Sequence, residues 1–325
     1  MKRLSIVLLL FVVFVAFIFV VLPGRLYAAP TPPPYTTSWY MNTVDSTSVY
    51  NMGCTLGTHD LNTAGTQDNV VILMFGKPSK SGTTFGTIIY NQAFASTTQI
   101  ATAAEQFGKG YYICTGSDTA STVKIVVGTS NYWSGTNHVN YAHGAAWAQM
   151  VNSVGAWLQT QGYSSQSTAV GGSDMELSWN TVAATKDWVN GYDSADQYAL
   201  YDFGDAAGCT STSSGNQNCN NGWKSEDVWF ISWGAPPAYP LPQIYNTLGT
   251  QAKQWYRLSR YSFDYHGGRM GIVGALTQWQ ACQQRGGCSG VDNTPATGWT
   301  QLWTQLNNDA NTAQSLRWST DMKWR

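Results

Sequence analysis

The chain has 325 residues, of which 43% are hydrophobic and 11% charged, and its formal net charge is −1. This length and composition suffice for one large domain or two small ones with a substantial core. The absence of a basic run or of a helix with a Lys and Arg stripe argues against nucleic acid as a partner. The 15 Trp and 18 Tyr are typical of proteins that stack on sugar rings, or of a large aromatic-rich extracellular fold.

Residues 1–28 predict an export signal. Lys2 and Arg3 precede an unbroken apolar run, residues 6–22, and Ala28 ends a stretch that a signal peptidase could cleave. The apolar run has 17 residues, which is also the short limit for a membrane span, so an uncleaved N-terminal anchor is the alternative. Either way we expect a secreted protein or one on the extracellular face of the membrane, with no membrane contact outside this segment.

Cysteine usage agrees with an extracellular compartment, since the six cysteines form an even set outside the leader. Six cysteines allow 15 pairings, but the short spacings favour two local disulfides and leave one long-range pair. No C-x-x-C spacing occurs, which disfavours thiolate metal binding. The predicted disulfides are Cys209–Cys219, Cys282–Cys288 and Cys54–Cys114.

Strand-like and helix-like segments alternate after a polar N-terminal stretch. Residues 29–66 are predicted as a Pro-rich spacer and polar lead-in, and residues 67–325 as one domain. Candidate strands are 70–75, 111–115, 123–127, 168–174, 198–202, 228–232, 241–245 and 271–276. Candidate helices are 141–161, 181–191, 250–261 and 296–313.

Eight alternating strands predict an α/β fold, a (β/α)8 TIM-like barrel with disulfide-clipped loops. A doubly wound open sheet and a barrel with one strand miscounted are the alternatives. The polar loop 204–222, clipped by Cys209 and Cys219, would follow the fifth strand. It would then overhang the end of the barrel at which such proteins carry their sites.

Asp174 and Glu176 are the strongest candidates for catalysis. Strand alternation sends both carboxyl groups to one face, together with Gly172, at the end of an otherwise uncharged strand. Their expected separation along the strand, roughly 6 to 7 Å, is compatible with a glycosidase acid pair. Glu176 is expected to be the general acid, with Asp174 as a like-charged neighbour that keeps a proton on it. Asp202 is a candidate base or nucleophile. Alternatively, the pair is structural and is bonded by loop backbone N–H groups or Lys77.

Polar and aromatic residues end the other predicted strands and would form a polyol-binding surface. Acids and amides bond sugar hydroxyls, while rings stack on the C–H faces of a pyranose. The candidate substrate-binding residues are Lys77, Tyr132, Asp205, Trp233, Gln243, Tyr245, Gln278 and Trp279.

Other chemistries have weaker signals. His138 and His143 are five residues apart and would not share a helix face, so no metal site is expected. The chain has no G-x-S-x-G elbow, H-E-x-x-H, P-loop or dinucleotide fingerprint, which disfavours Ser hydrolases and nucleotide enzymes. We therefore expect neither a metal nor a cofactor.

The segments 171–176 (GGSDME) and 242–245 (PQIY), followed by Trp255, resemble secreted glycoside-hydrolase-like (β/α)8 barrels, in the broad group around family 25 lysozymes. The resemblance implies a barrel with Glu176 as proton donor and Asp174 as its partner. Family 25 enzymes carry an Asp at the end of the first strand, where this chain offers Lys77 after Phe75-Gly76. The family 18 chitinase pattern is also similar, but Gly172 stands where that pattern has a further Asp.

These patterns lead to one expectation about function. The protein is predicted to be an exported, monomeric glycoside-hydrolase-like barrel that cleaves bacterial cell-wall (peptidoglycan) or other polysaccharide, with Glu176 as proton donor. The alternative is a non-catalytic carbohydrate-binding barrel at the cell surface, using Trp233, Tyr245 and Trp279 for stacking. A purely structural envelope protein is the third possibility.

Overall fold

The computed structural model describes residues 30–325, so the predicted leader, 1–28, lies outside the described residues. Thr31–Arg325 form one compact unit. In chain order, the strands are β1 (Thr36–Tyr40), β2 (Asp68–Met74), β3 (Lys77–Ser81), β4 (Thr84–Ile88), β5 (Phe94–Ser96), β6 (Thr122–Ser130), β7 (Ser167–Asp174), β8 (Leu200–Asp202), β9 (Ala238–Pro240), β10 (Gly274–Thr277) and β11 (Trp318–Trp324). The α-helices are α1 (Ser46–Leu61), α2 (Thr97–Cys114), α3 (Tyr141–Thr160), α4 (Val182–Asp193), α5 (Ser225–Trp229), α6 (Thr250–His266), α7 (Trp279–Gln284) and α8 (Pro295–Asn307).

Eight of these strands form one parallel sheet that nearly closes into a barrel. Its order is β10-β11-β1-β2-β6-β7-β8-β9, which follows the chain cyclically. Between the ends, Val273 N donates to Pro240 O at 3.0 Å and Leu276 N to Pro242 O at 2.9 Å. A doubly wound sheet would reverse its strand order at a switch point, and this sheet does not. With helices between its strands, the α/β architecture is therefore consistent with the predicted TIM-like barrel.

The positions of several strands differ from the prediction. Residues 111–115 end helix α2, where Tyr111 is buried against the barrel, because the apolar run continues an Ala-rich helical face. Residues 228–232 span the end of α5 and a π-helical turn, Phe230–Gly234, since Val228, Ile231 and Ser232 share a buried helical face. Residues 241–245 follow β9 as an extended segment that bridges to β10 at Gln243.

Besides β9, which lies just before the predicted strand 241–245, two barrel strands were not predicted, and one of them moves the domain boundary. β1 and α1 lie within 29–66, so this segment is the first β/α unit rather than a lead-in. β11 lies at the C-terminus and pairs with β1 from Thr36↔Thr320 to Tyr40↔Trp324. Both strands are short and mix polar with aromatic residues, so each carries a weak strand signal. The β/α barrel thus begins at β1, before the predicted boundary at residue 67.

The barrel interior contains the side chains of alternate strand residues. On β7 the inward set runs from Thr168 to Asp174, since Val170 packs in the interior cluster with Val126, whereas Ala169 packs in the outer layer. The same alternation directs Tyr40 inward on β1. The prediction that Gly172 and Asp174 share a face agrees with this packing.

Phe203, immediately after β8, fills the interior below Asp174. A Cβ on Gly172 would lie 2.3 Å from Val126 Cγ1 and 2.8 Å from the Phe203 ring, and a Cβ on Gly128 would lie 2.8 Å from the same ring. The two glycines therefore leave the space that this ring occupies. Gly172, where the chitinase pattern has an Asp, is required here by packing.

The three disulfides pair as the spacing predicted. Cys54–Cys114 joins α1 to α2, Cys209–Cys219 clips the loop after β8, and Cys282–Cys288 clips the loop after α7. A separate antiparallel sheet, β3-β4-β5, follows β2 and lies beside the carboxyl end of the barrel. In the described part of the chain, no helix combines the length and apolar character needed to cross a membrane.

His143 joins this antiparallel sheet to the helical layer. Its ring is buried in α3, with Nε2 2.8 Å from Gly86 O on β4, and Trp188 Nε1 donates to Nδ1 at 3.0 Å. The ring is thus neutral, with its proton on Nε2, since Nδ1 must accept. Burial lowers the pKa of His143 to about 4.

The depressed pKa of His143 predicts acid destabilisation. Between pH 6.5 and 4 the unfolded chain binds a proton that the folded chain excludes, so the free energy of unfolding should fall by roughly 2–3 kcal/mol as pH drops through that window. His143→Gln retains an N–H donor for Gly86 but cannot titrate. Urea unfolding of both proteins at pH 7.5, 5.5 and 4.5 isolates this effect, because all other groups contribute equally. Identical pH slopes in the two proteins would contradict the prediction.

Candidate active site at the mouth of the barrel

Asp174 and Glu176 lie at the carboxyl-end opening of the barrel, called the mouth below. Asp174 is the buried last residue of β7, and Glu176 is partly exposed just beyond it. Gln243 connects them, since its Nε2 donates to Asp174 Oδ1 at 2.7 Å and lies 3.4 Å from Glu176 Oε1. In residues 30–325, no backbone N–H donates to either carboxylate and no Lys, Arg or His nitrogen lies within 4.0 Å of them.

The backbone at Glu176 is held by Asn131, which follows β6. Asn131 Oδ1 accepts from Glu176 N at 3.1 Å, and Asn131 Nδ2 donates to Glu176 O at 3.0 Å. Asn131 is itself buried, and its N–H donates to Asp174 O at 3.1 Å. Because both peptide groups of Glu176 are bonded, its side chain leaves the strand end in one defined direction toward the mouth.

Both carboxyl groups hold protons more tightly than usual. Burial, followed by the charge of Glu176 and those of Asp205 and Asp202, raises the pKa of Asp174 well above its usual range. Burial and then Asp205 raise the pKa of Glu176 to about 7, against the opposing effect of Gln243. Burial and neighbouring negative charge thus favour a proton on the acid pair. Glu176 exchanges its proton near neutral pH, the range suited to a general acid.

Aromatic rings from both ends of the chain line the mouth next to the pair. The Tyr40 ring stacks on Trp324, with centroids 4.4 Å apart, and meets Tyr90 edge-on at 5.1 Å. The Tyr40 hydroxyl accepts from Gln278 Nε2 at 2.6 Å and also bonds the hydroxyl of Tyr245. Burial, and less strongly the charges of the acid pair, raises the pKa of Tyr40 and Tyr245, so both remain hydroxyl donors.

Lys77 and Tyr132 lie beside this aromatic wall, in a cavity of about 390 Å³. Lys77 Nζ bonds Ser134 Oγ at 2.6 Å and lies 5.6 Å from the centroid of the Tyr132 ring. Trp179 meets Tyr132 edge-on, with ring centroids 5.6 Å apart. Lys77 is the first residue of β3, which pairs with β4 in a hairpin, so it is not carried by a strand of the barrel.

Asp202 is fully buried and Asp205 is half-buried, and both bond to backbone. Asp202 faces the outer layer, where the Ser232 hydroxyl bonds Oδ2 and Gly204 N donates to Oδ1 at 3.0 Å, and burial raises its pKa to about 7. Asp205 accepts from Leu177 N at 3.2 Å and Ala207 N at 3.3 Å. Both acids hold backbone in place around the site. This geometry argues against the prediction of Asp202 as a base or nucleophile, whereas Asp205 as a substrate ligand stays a prediction.

The two predicted tryptophan platforms have different surroundings from those expected. The Trp233 ring meets Tyr239 at a centroid distance of 5.4 Å and covers Gly271, which precedes β10 at the opposite end of the barrel. This contradicts its prediction as a stacking residue of the mouth, and the reason is that 228–232 is helical rather than a strand. Trp279 is half-buried in the first turn of α7, where its N–H donates to Asp321 Oδ1 at 2.8 Å.

The acid pair, Gln243, Tyr245 and Gln278 lie together at the mouth and were all predicted from the sequence. Other residues of the mouth were not predicted. Tyr40 and Trp324 were missed because β1 and β11 were not recognised. The regular inward alternation of 36–40 and 318–324 was an available signal. Asn131 and Tyr90 follow strand ends in irregular segments, where only the fold determines their partners.

The chain matches no protein-family model and no curated protein. Among residues 30–325, no three His, Cys, Asp or Glu side chains converge in a way that could hold a metal ion. The resemblance to family 25 and family 18 glycosidases remains a prediction.

Proposed function

We propose that this protein hydrolyses glycosidic bonds, with Glu176 as the general acid. One observation carries the proposal: of the four acids near the mouth, only Asp174 and Glu176 are free of backbone N–H partners, and they sit against an aromatic wall. A structural pair would be expected to accept backbone bonds, as Asp202 and Asp205 do. A partly exposed acid with a raised pKa is the group that protonates a leaving sugar oxygen.

The attacking group in this proposal comes from the substrate. In this proposal Asp174, which lies below Glu176, keeps its proton, Asp202 faces the outer layer and Asp205 accepts two backbone N–H groups, so none of the three is assigned to attack the anomeric carbon. Substrate-assisted glycosidases solve this by using the carbonyl oxygen of a 2-acetamido group. That oxygen bonds to C1 as the C1–O bond to the leaving sugar breaks, and Glu176 gives its proton to the leaving oxygen. Water then bonds to C1 as the bond between C1 and the acetamido oxygen breaks, which restores the acetamido group, and Glu176 takes a proton from that water.

The proposed substrate is therefore a polysaccharide that contains 2-acetamido sugars, as bacterial cell-wall glycan does. Asp174 and Tyr245 would hold the acetamido group, since both present O–H donors at the base of the mouth. The three disulfides support an extracellular place of action, because such bonds persist outside the cytoplasm.

A panel of polysaccharides tests the proposal. Incubation with peptidoglycan, chitin oligosaccharides and glucans should release reducing ends only from chains that contain 2-acetamido sugars. A 2-acetamido aryl glycoside should be cleaved at least about 100-fold faster than its 2-hydroxy counterpart, because the latter lacks the attacking oxygen. Retention of glycan without any product would instead indicate a carbohydrate-binding barrel and overturn the enzymatic proposal.

A further inference from the structure

We infer that the cavity beside Lys77 is a subsite for a sugar unit that carries a carboxylate, adjoining the bond that is cleaved. The inference rests on the proposed function, because it assigns the substrate class of the same mouth. A sugar can carry a carboxylate as the ring substituent of a uronic acid or on an ether-linked lactyl group. The cavity would bind either carboxylate through the same contact with Lys77.

Residues that line the cavity adjoin the acid pair. Ser130 lines the cavity and is paired in register with Asp174 across β6 and β7. Trp179, a second lining residue, follows Glu176 by three positions and donates its backbone N–H to Glu176 O at 3.1 Å. Tyr90 lines the third side and contacts the aromatic wall, 5.2 Å from the Trp324 centroid. A sugar in this cavity would therefore neighbour one held over Glu176.

The shape and lining of the cavity suit a single sugar ring. Its volume of about 390 Å³ lies in the range of small-ligand sites. Tyr132 and Trp179 present two rings at an interplanar angle of 79°, so one ring can stack on a pyranose while the other bounds its edge. Ser130 and Gln92 provide hydrogen-bonding groups for hydroxyls.

Lys77 gives the cavity its charge preference. Among the described residues, Lys77 is not paired with an acid within 4.0 Å, and its ammonium group contacts only the Ser134 hydroxyl and the Tyr132 ring face. Two of its three N–H donors are thus available to an incoming anion. Arg285 stacks over the Trp324 ring at 3.8 Å, on the face that Tyr40 does not cover.

The hairpin supplies a matched control. Lys80 also belongs to β3, and its Nζ lies 4.7 Å from the Phe85 ring centroid, a cation–π contact like that of Lys77. Lys80 does not line the cavity. Lys77→Met and Lys80→Met therefore each remove one positive charge from the same hairpin. Lys77→Met removes it at the subsite, and Lys80→Met removes it away from the subsite.

Titration calorimetry with uncleaved oligosaccharides tests the inference. The Glu176→Gln protein is titrated with a tetrasaccharide of alternating glucuronic acid and N-acetylglucosamine, and with one of alternating N-acetylmuramic acid and N-acetylglucosamine. Each is compared with its carboxyl-reduced form. At least one acidic form should bind about tenfold more tightly than its reduced form, as expected of a charged hydrogen bond. The preferred probe identifies the source of the carboxylate. The preference should fall to within about twofold in Lys77→Met and persist in Lys80→Met.

Equal binding of the acidic and reduced forms of both probes would overturn the inference, as would a preference that survives Lys77→Met or that disappears equally in Lys80→Met. Binding is measured without turnover, so this result is independent of whether the protein hydrolyses glycans. A protein that binds acidic glycan and never cleaves any would refute the proposed function and retain the subsite.

Discussion

Glu176→Gln should reduce the rate of glycan hydrolysis by about 10²- to 10⁴-fold, the usual contribution of a general acid. Glutamine preserves the shape of the side chain and its contact with Gln243 but has no proton to donate. In the parent protein, the rate should fall about tenfold per pH unit above roughly pH 7, because the pKa of Glu176 is about 7 and only the protonated acid is active. Release of reducing ends, measured from pH 5 to 9, gives both results.

Glu105→Gln is the matched control for this substitution. Glu105 lies on α2 in the outer layer, away from the mouth, so the same chemical change should leave the rate within about twofold. Hydrolysis by Glu176→Gln at the parental rate would end the assignment of Glu176 as proton donor.

Loss of activity in Glu176→Gln should be accompanied by a gain in stability. The folded state holds a proton on Glu176 up to a pKa of about 7, whereas an unfolded glutamate releases it near its usual pKa of 4.5. Stability from this group is therefore full below pH 4.5 and is lost as pH rises through 7. At pH 8 we expect the variant to be more stable than the parent by roughly 1–3 kcal/mol in urea unfolding. A variant that is less stable would indicate that its inactivity reflects misfolding.

Gly172→Asp, which would restore the acid of the chitinase pattern, should destabilise the fold by more than about 3 kcal/mol. Its Cβ would overlap Val126 and the Phe203 ring, at 2.3 and 2.8 Å, and a carboxyl group would be buried below Asp174 without a partner. Gly172→Ala introduces the overlap alone and should cost about 1–3 kcal/mol. Urea unfolding at pH 7 measures both values.

Gly268→Ala is the control, since a Cβ there meets no atom within 4 Å. It should change the free energy of unfolding by less than about 0.5 kcal/mol. In a double-mutant cycle, Val126→Ala should relieve part of the cost of Gly172→Ala and give a coupling of about 1 kcal/mol. Independent, additive effects would show that the two side chains do not compete for the same space.

The acid pair was recognisable from the sequence because its geometry is local. Two-residue alternation along β7 alone places Gly172 and Asp174 on one face and directs Glu176 to the end of the same strand. The disulfide pairing was also recognisable, since two of the three loops are short. Helices α3, α4 and α6 followed from periodicity, although their ends moved by up to five residues.

The rest of the site depended on which strands meet in space. β1 and β11 are 282 residues apart at Ser38 and Thr320, and only their pairing brings Tyr40 and Trp324 together. Aspartate is a residue type that often serves in catalysis, and the sequence alone does not distinguish Asp202 from a catalytic acid. In the structure, Ser232 lies in a helical turn of the outer layer and its hydroxyl donates to Asp202. Lys77 lies at the mouth because it begins the β3–β4 hairpin, and the alternation pattern of the barrel strands does not predict that hairpin.

What the sequence by itself determined is an α/β chain with three disulfides and two acids at one strand end, because alternation and cysteine spacing act over a few residues. Only the tertiary structure decided which of the acids have no backbone N–H partner. Hydrogen-bond partners come from distant segments, so Gln243 reaches Asp174 while backbone N–H groups engage Asp202 and Asp205. Burial by those same segments then raises the pKa of Glu176 into the range of a general acid.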